Sequence, residues 1–132
     1  MTILEAIRAQ LLATAGIAAA VGQRVYVQVL PEKPTYPAIT LDTVATNRAH
    51  SQDGGSGYAE GLFRITCFSP TYSAAQDLAA RVRVALVGLR GSMPLSGGVQ
   101  VEGIFAEDES DDYDDEFTLH SVAIDLLIQF LE

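Results

Sequence analysis

Cysteine is almost absent: Cys67 is the only one in 132 residues, which excludes an internal disulfide and the grouped thiols of a structural zinc site. Long apolar runs are missing as well. Unbroken stretches such as Ile17 to Val21 fall far below the roughly 18 to 20 residues that span a bilayer. Glu5 and Arg8 interrupt the opening segment, where a secretion signal would need its apolar stretch. The expectation is a soluble, cytosol-compatible chain with no targeting signal and no membrane partner. No Gly-Lys-Ser or Gly-Lys-Thr sequence occurs, and the cluster Gly54, Gly55 and Gly57 lies between two strand-like segments. A phosphate-binding loop needs its glycines between a strand and a helix N-terminus, so nucleotide binding is not expected.

Histidine is scarce too, with His50 in a Gly-rich stretch and His120 near the end. No spacing joins them to Ser51, Asp53 or Ser121 as a hydrolytic set. Cys67 reads as a small buried hydrophobe, the usual state of a free cysteine. A nucleophilic thiol needs a neighbour that lowers its pKa, and only the helix start near Pro70 to Ser73 is a candidate. A hydrolase using His120 or Cys67 is therefore the weakest function class. No catalytic residue, cofactor or metal ligand is assigned, and the chain is not expected to be an enzyme. The eight bases, Arg8, Arg24, Lys33, Arg48, Arg64, Arg81, Arg83 and Arg90, are dispersed. They form neither a basic recognition helix nor an aromatic-interleaved groove, so sequence-specific nucleic-acid binding is disfavoured.

What is present is a core and one strongly biased segment. Leu, Ile, Val and Phe number 38 of 132 residues, about 29%, enough for a chain of this length to bury one core as a single domain over residues 1–132. The net charge is −9. Eight of the 17 acids, Glu107, Asp108, Glu109, Asp111, Asp112, Asp114, Asp115 and Glu116, fall within ten residues. Without them nine acids face eight bases, so the acidity is a local device. An EF-hand register starting at Asp108 fails, because Tyr113 takes the glycine position and Leu119 the bidentate-Glu position. A looser cation- or ligand-binding loop over 107–116 remains an alternative to a solvated, self-repelling one.

Thr2 and Glu5 form a capping-box signal, and Ile3, Leu4, Ile7, Leu11 and Ala15 follow at helical spacing. A helix is expected from about Thr2 to Ala15, with a further helical turn over Ile17 to Val21 closed by Gly22. Strands are expected over Val25 to Leu30, Ala38 to Arg48, Tyr58 to Phe68, Val99 to Phe105 and Phe117 to Leu131. His50 to Gly57 has three glycines and no large apolar residue, so it reads as the mobile tip of a projecting hairpin. A second long helix begins between Ser69 and Ser73, with Ala75, Leu78, Ala79, Val82, Leu86 and Leu89 on its inner stripe. The expected architecture is α+β: a mainly antiparallel sheet of about five strands with two helices packed on one face.

The order of these pieces resembles a known family. The first helix followed by Val21-Gly22-Gln23-Arg24-Val25-Tyr26 and then Tyr36-Pro37-Ala38-Ile39 is similar to the opening of phage tail-completion and head–tail joining proteins. The strand Phe63 to Phe68 leading into the helix Tyr72 to Leu86, and Tyr113-Asp114 before a long closing strand, fit the same layout. The resemblance covers nearly the whole chain and implies a tail-completion (tail-terminator) protein of long-tailed bacteriophages. Such a protein is a virion structural protein, assembled from the host cytoplasm into the tail or neck. It would act as a ring, expected to be hexameric, capping the tail tube and meeting a head connector or neck protein. Its candidate interface is the hairpin tip, His50, Ser51, Gln52, Asp53, Gly54, Gly55, Ser56 and Gly57, with Asp108, Asp111, Asp112, Asp114 and Asp115 of the acidic run. Another tail-tube or neck protein is the alternative within this class.

Overall fold

The computed structural model describes residues 2–51, 54–93 and 98–131, with 49–51 and 54–56 as backbone only. Helix α1 (Ile3–Ala13) starts as its sequence demands: the Thr2 hydroxyl accepts from the Glu5 N–H, and the Thr2 N–H donates to the Glu5 carboxylate. The hydrogen bond from that backbone N–H, followed by the one to the hydroxyl, holds the Glu5 carboxyl below its ordinary pKa. The chain then bends by 92° into α2 (Ala15–Val21), which ends at Gly22 with a φ of 61°. Helix α3 (Tyr72–Leu86) is capped by the Thr71 hydroxyl, which accepts from the Ala74 N–H. Its buried stripe is Ala75, Leu78, Ala79, Val82 and Leu86, the face its periodicity predicts.

Six strands form one sheet in the order β1-β2-β3-β6-β5-β4. They are β1 (Val25–Val27), β2 (Ala38–Ser51), β3 (Gly54–Ser69), β4 (Gly91–Met93), β5 (Val99–Asp114) and β6 (Leu119–Leu131). Side chains alternate across it. Phe63, Ile65 and Cys67 of β3 and Val122, Ile124, Leu126 and Ile128 of β6 are buried on the inner face, where they share one apolar cluster with the helices.

Four expectations are corrected. The sheet is mixed, because β1 pairs parallel with β2 (Val25 beside Ile39, Val27 beside Leu41); it is six-stranded, because Gly91–Met93 adds a short strand beside β5; and the helices number three, because the turn after α1 is a helix of its own, Ala15–Val21. A parallel return is cheap here: β1 has three residues, about 10 Å of strand, and ten residues from 28 to 37 carry the chain back. Second, the first strand stops at Val27 rather than Leu30, since Gln28 turns the chain at a φ of 70°. Third, the β2–β3 ladder continues into the Gly-rich segment, pairing His50 with Gly55 and Ser51 with Gly54. Backbone N–H and C=O groups pair irrespective of side chain, so glycines extend a ladder that its flanks have already registered. Gln52 and Asp53 lie outside the described residues.

The fourth correction concerns the acidic run, which is no loop. β5 continues to Asp114 and stays paired with β6 from Asp108 opposite Asp125 to Asp114 opposite Leu119. Only residues 115–118 turn. Charged side chains stand off an exposed edge strand into water, so their low strand propensity is overridden by lateral pairing with an apolar β6.

Candidate assembly surfaces

The ladder registers place the two sequence candidates at opposite ends of the sheet. β3 runs from Gly54 to Ser69, and its last partner on β6 toward the Gly-rich end is Tyr58 opposite Leu131. The β2–β3 hairpin therefore projects past β6 by four residues, about 13 Å. At the other end, Asp114 and Leu119 close the β5–β6 hairpin. His50 and His120 are thus separated by roughly 45 Å of strand, and no catalytic pair joins them. His120 and Ser121 are consecutive strand residues, so their side chains leave opposite faces.

The acids divide between two faces. Pairing aligns Asp42, Arg64, Asp125 and Asp108 across four strands of the outer face. Arg64 grips Asp125 with a fork, Nε to Oδ1 at 2.8 Å and Nη2 to Oδ2 at 3.1 Å. This hydrogen-bonded partner first, and the charges of Asp125, Asp42 and Asp108 after it, hold Arg64 more firmly charged than usual. Without Arg64, Asp108 directly opposite Asp125 would be a repulsive cross-strand pair. On the inner face Glu109 forms an ion pair with Arg83 of α3, half-exposed and so worth little on its own. Among the described residues no group of three His, Cys, Asp or Glu side chains is placed to hold a metal ion.

Cys67 is fully buried, and its thiol is pushed up to about 12, mainly by burial and then by the charge of Glu109. That is the reverse of a nucleophile's requirement.

Among the described residues, the short strands β1 and β4 pair with only part of the long edge strands β2 and β5. β4 covers only Val99 to Val101 of β5, and β1 covers only Ile39 to Leu41 of β2. Gly88 N–H donates to the Ile104 carbonyl and Arg90 to that of Glu102, which leaves β5 from about Ala106 onward as the open acidic edge. An open edge is a ready template for another chain, and acids on it restrict which chain can approach.

Tail completion protein gp17 is the family that matches residues 5–129. This chain belongs to that family. A tail completion protein is a structural component of a phage virion, in agreement with the resemblance read from the sequence. In fold the chain is similar to a solved chain described as "Virion of native gene transfer agent (GTA) particle", with a TM-score of 0.78 over 98% of this chain and 95% of that one, at 23% identity. No curated protein matches it.

For this family member the structure keeps Asp108, Asp111, Asp112 and Asp114 on one strand and Asp115 in the following turn. His50, Ser51, Gly54, Gly55, Ser56 and Gly57 lie at the far end. Sequence reading missed the cleft of about 450 Å3 beside the acidic strand, where Tyr72 and Gln76 of α3 meet Asp111, Tyr113 and His120. The His120 ring lies 4.5 Å from that of Tyr113 and 5.9 Å from that of Tyr72. No spacing in the sequence links these residues; the β5–β6 register and the docking of α3 bring them together.

Proposed function

We propose that this chain is a single-domain, non-catalytic ring subunit that caps the finished tail tube and joins tail to head. It would contact further copies of itself, hexameric as the resemblance implies, a tail-tube protein and a head connector or neck protein. Assembly takes place in the host cytoplasm, and the finished ring sits at the tail–neck junction. The observation that carries the reading is the polarity of the domain. Two chemically different hairpins, one Gly-rich and projecting, one acidic, stand at opposite ends of a sheet whose lateral edges are open. Such a body supports one partner above, another below and like neighbours at its sides. The likeness in fold to a chain of a virion particle supports a structural role in a virion.

Electron microscopy of tails made with and without the protein tests it. Tails lacking the protein should fail to join heads, and the purified protein should restore joining while binding one tail end only. Label spread along the tube would make it a tube subunit instead. Removing Gln52 to Ser56 should preserve folding and abolish joining; full joining by the shortened chain would remove the Gly-rich hairpin from the mechanism.

A further inference from the structure

The chain has one lysine, Lys33, in the segment between β1 and β2. It is exposed, and no ion pair within the described residues engages it. Pro31 and Pro34 flank it, so the loop is stiffened in advance and loses less freedom on docking. The same loop shows Val29 to solvent at 74% exposure.

Across the sheet, at the opposite edge, lies the cleft formed by Tyr72, Gln76, Asp111, Asp112, Tyr113 and His120. Its chemistry suits an ammonium group. Two phenol rings and an imidazole line it, side chains of the kind that attract a cation, and carboxylates beside them supply the opposite charge. One polar group in it is unanswered: the Gln76 amide nitrogen is buried and has no hydrogen-bond partner. A buried donor without an acceptor is costly, and the carbonyls of a docking loop would satisfy it.

The end of the loop and the cleft also share a height on the sheet. Ala38, where the Lys33 loop joins β2, is in register with Phe68, Ser121 and Asp112 in turn across β3, β6 and β5. Tyr36 of the loop packs on Phe68 at 6.3 Å between ring centroids. A basic loop that joins the sheet at one edge and an acidic, aromatic socket at the opposite edge, level with that junction, meet the requirement for a head-to-tail contact, which closes into a ring when its rotation divides a full turn.

We infer that Lys33 of one copy inserts into the Tyr72–Tyr113–His120 cleft of the next, pairing with Asp111, and that this contact sets the order of subunits around the ring. The inference rests on the ring reading above. It names a second copy of this chain as the occupant because the basic loop and the socket are both on the same molecule with opposite charge.

Sedimentation velocity of the full chain, alone and with tail tubes, decides it. Wild type should form a discrete closed oligomer. Lys33→Glu and Asp111→Lys should each weaken association at least about tenfold, the scale of a desolvated charge pair whose partner is replaced, with circular dichroism unchanged because both sites are exposed. Combining Lys33→Glu with Asp111→Lys should restore the oligomer. Rings that persist unchanged in both single variants overturn this contact and leave the ring reading standing. A combined variant no better than either single one also overturns direct pairing. Wild type that stays monomeric under every condition overturns the ring reading and this contact with it.

Discussion

Replacing Leu86 by Ala tests the packing of α3 directly. Leu86 has 0% exposure and lies in the cluster shared by α3, β3 and β6, so truncation removes apolar contact that water cannot replace. Leu-to-Ala changes at such sites cost about 2 to 5 kcal/mol, with the higher values where the surroundings cannot collapse. Here the site is backed by a sheet, which resists collapse, so about 3 kcal/mol or more is expected. At about 2.1 cal/mol/K per residue the unfolding entropy of a 132-residue chain is about 0.28 kcal/mol/K. The midpoint should therefore fall by about 11 °C. Val84, two residues earlier and 86% exposed, is the control: Val84→Ala should stay within about 0.5 kcal/mol. Thermal unfolding followed by circular dichroism, at matched protein concentration because association shifts the midpoint, measures both. A Leu86→Ala protein melting within about 2 °C of wild type, or a Val84→Ala protein losing as much as Leu86→Ala, would refute this placement of the helix face.

At Gly61 a methyl group would come within 2.6 Å of the buried Phe63 ring. Gly61→Ala should therefore destabilise by about 1 to 3 kcal/mol in urea unfolding, and an unchanged midpoint would mean that the ring moves freely. Cys67 should resist thiol reagents at pH 8 in the folded protein and react at once in denaturant. Because its folded pKa is raised above the unfolded value of about 8.5, the stability it contributes is complete below that pH and lost as pH rises toward 12. Rapid labelling under native conditions would contradict its burial.

The sequence alone determined whatever depends on neighbours along the chain. The α1 cap was legible because Thr2 and Glu5 are three apart and satisfy each other's N–H groups. The inner face of α3 was legible because a 3.6-residue period is a local property, and the clustering of eight acids was visible as composition. Tertiary structure decided whatever depends on lateral partners. Whether Asp108 to Asp114 is loop or strand cannot be read from side chains that disfavour strands, since hydrogen bonds to Leu119 to Asp125 settle it. The parallel placement of β1 depended on a loop doubling back. The division of the acids into an Arg64-neutralised row and a cleft-lining set depended on a register that periodicity does not encode. So did the meeting of Tyr72, Tyr113 and His120, because each strand residue acquires its cross-sheet neighbours only when the ladders form.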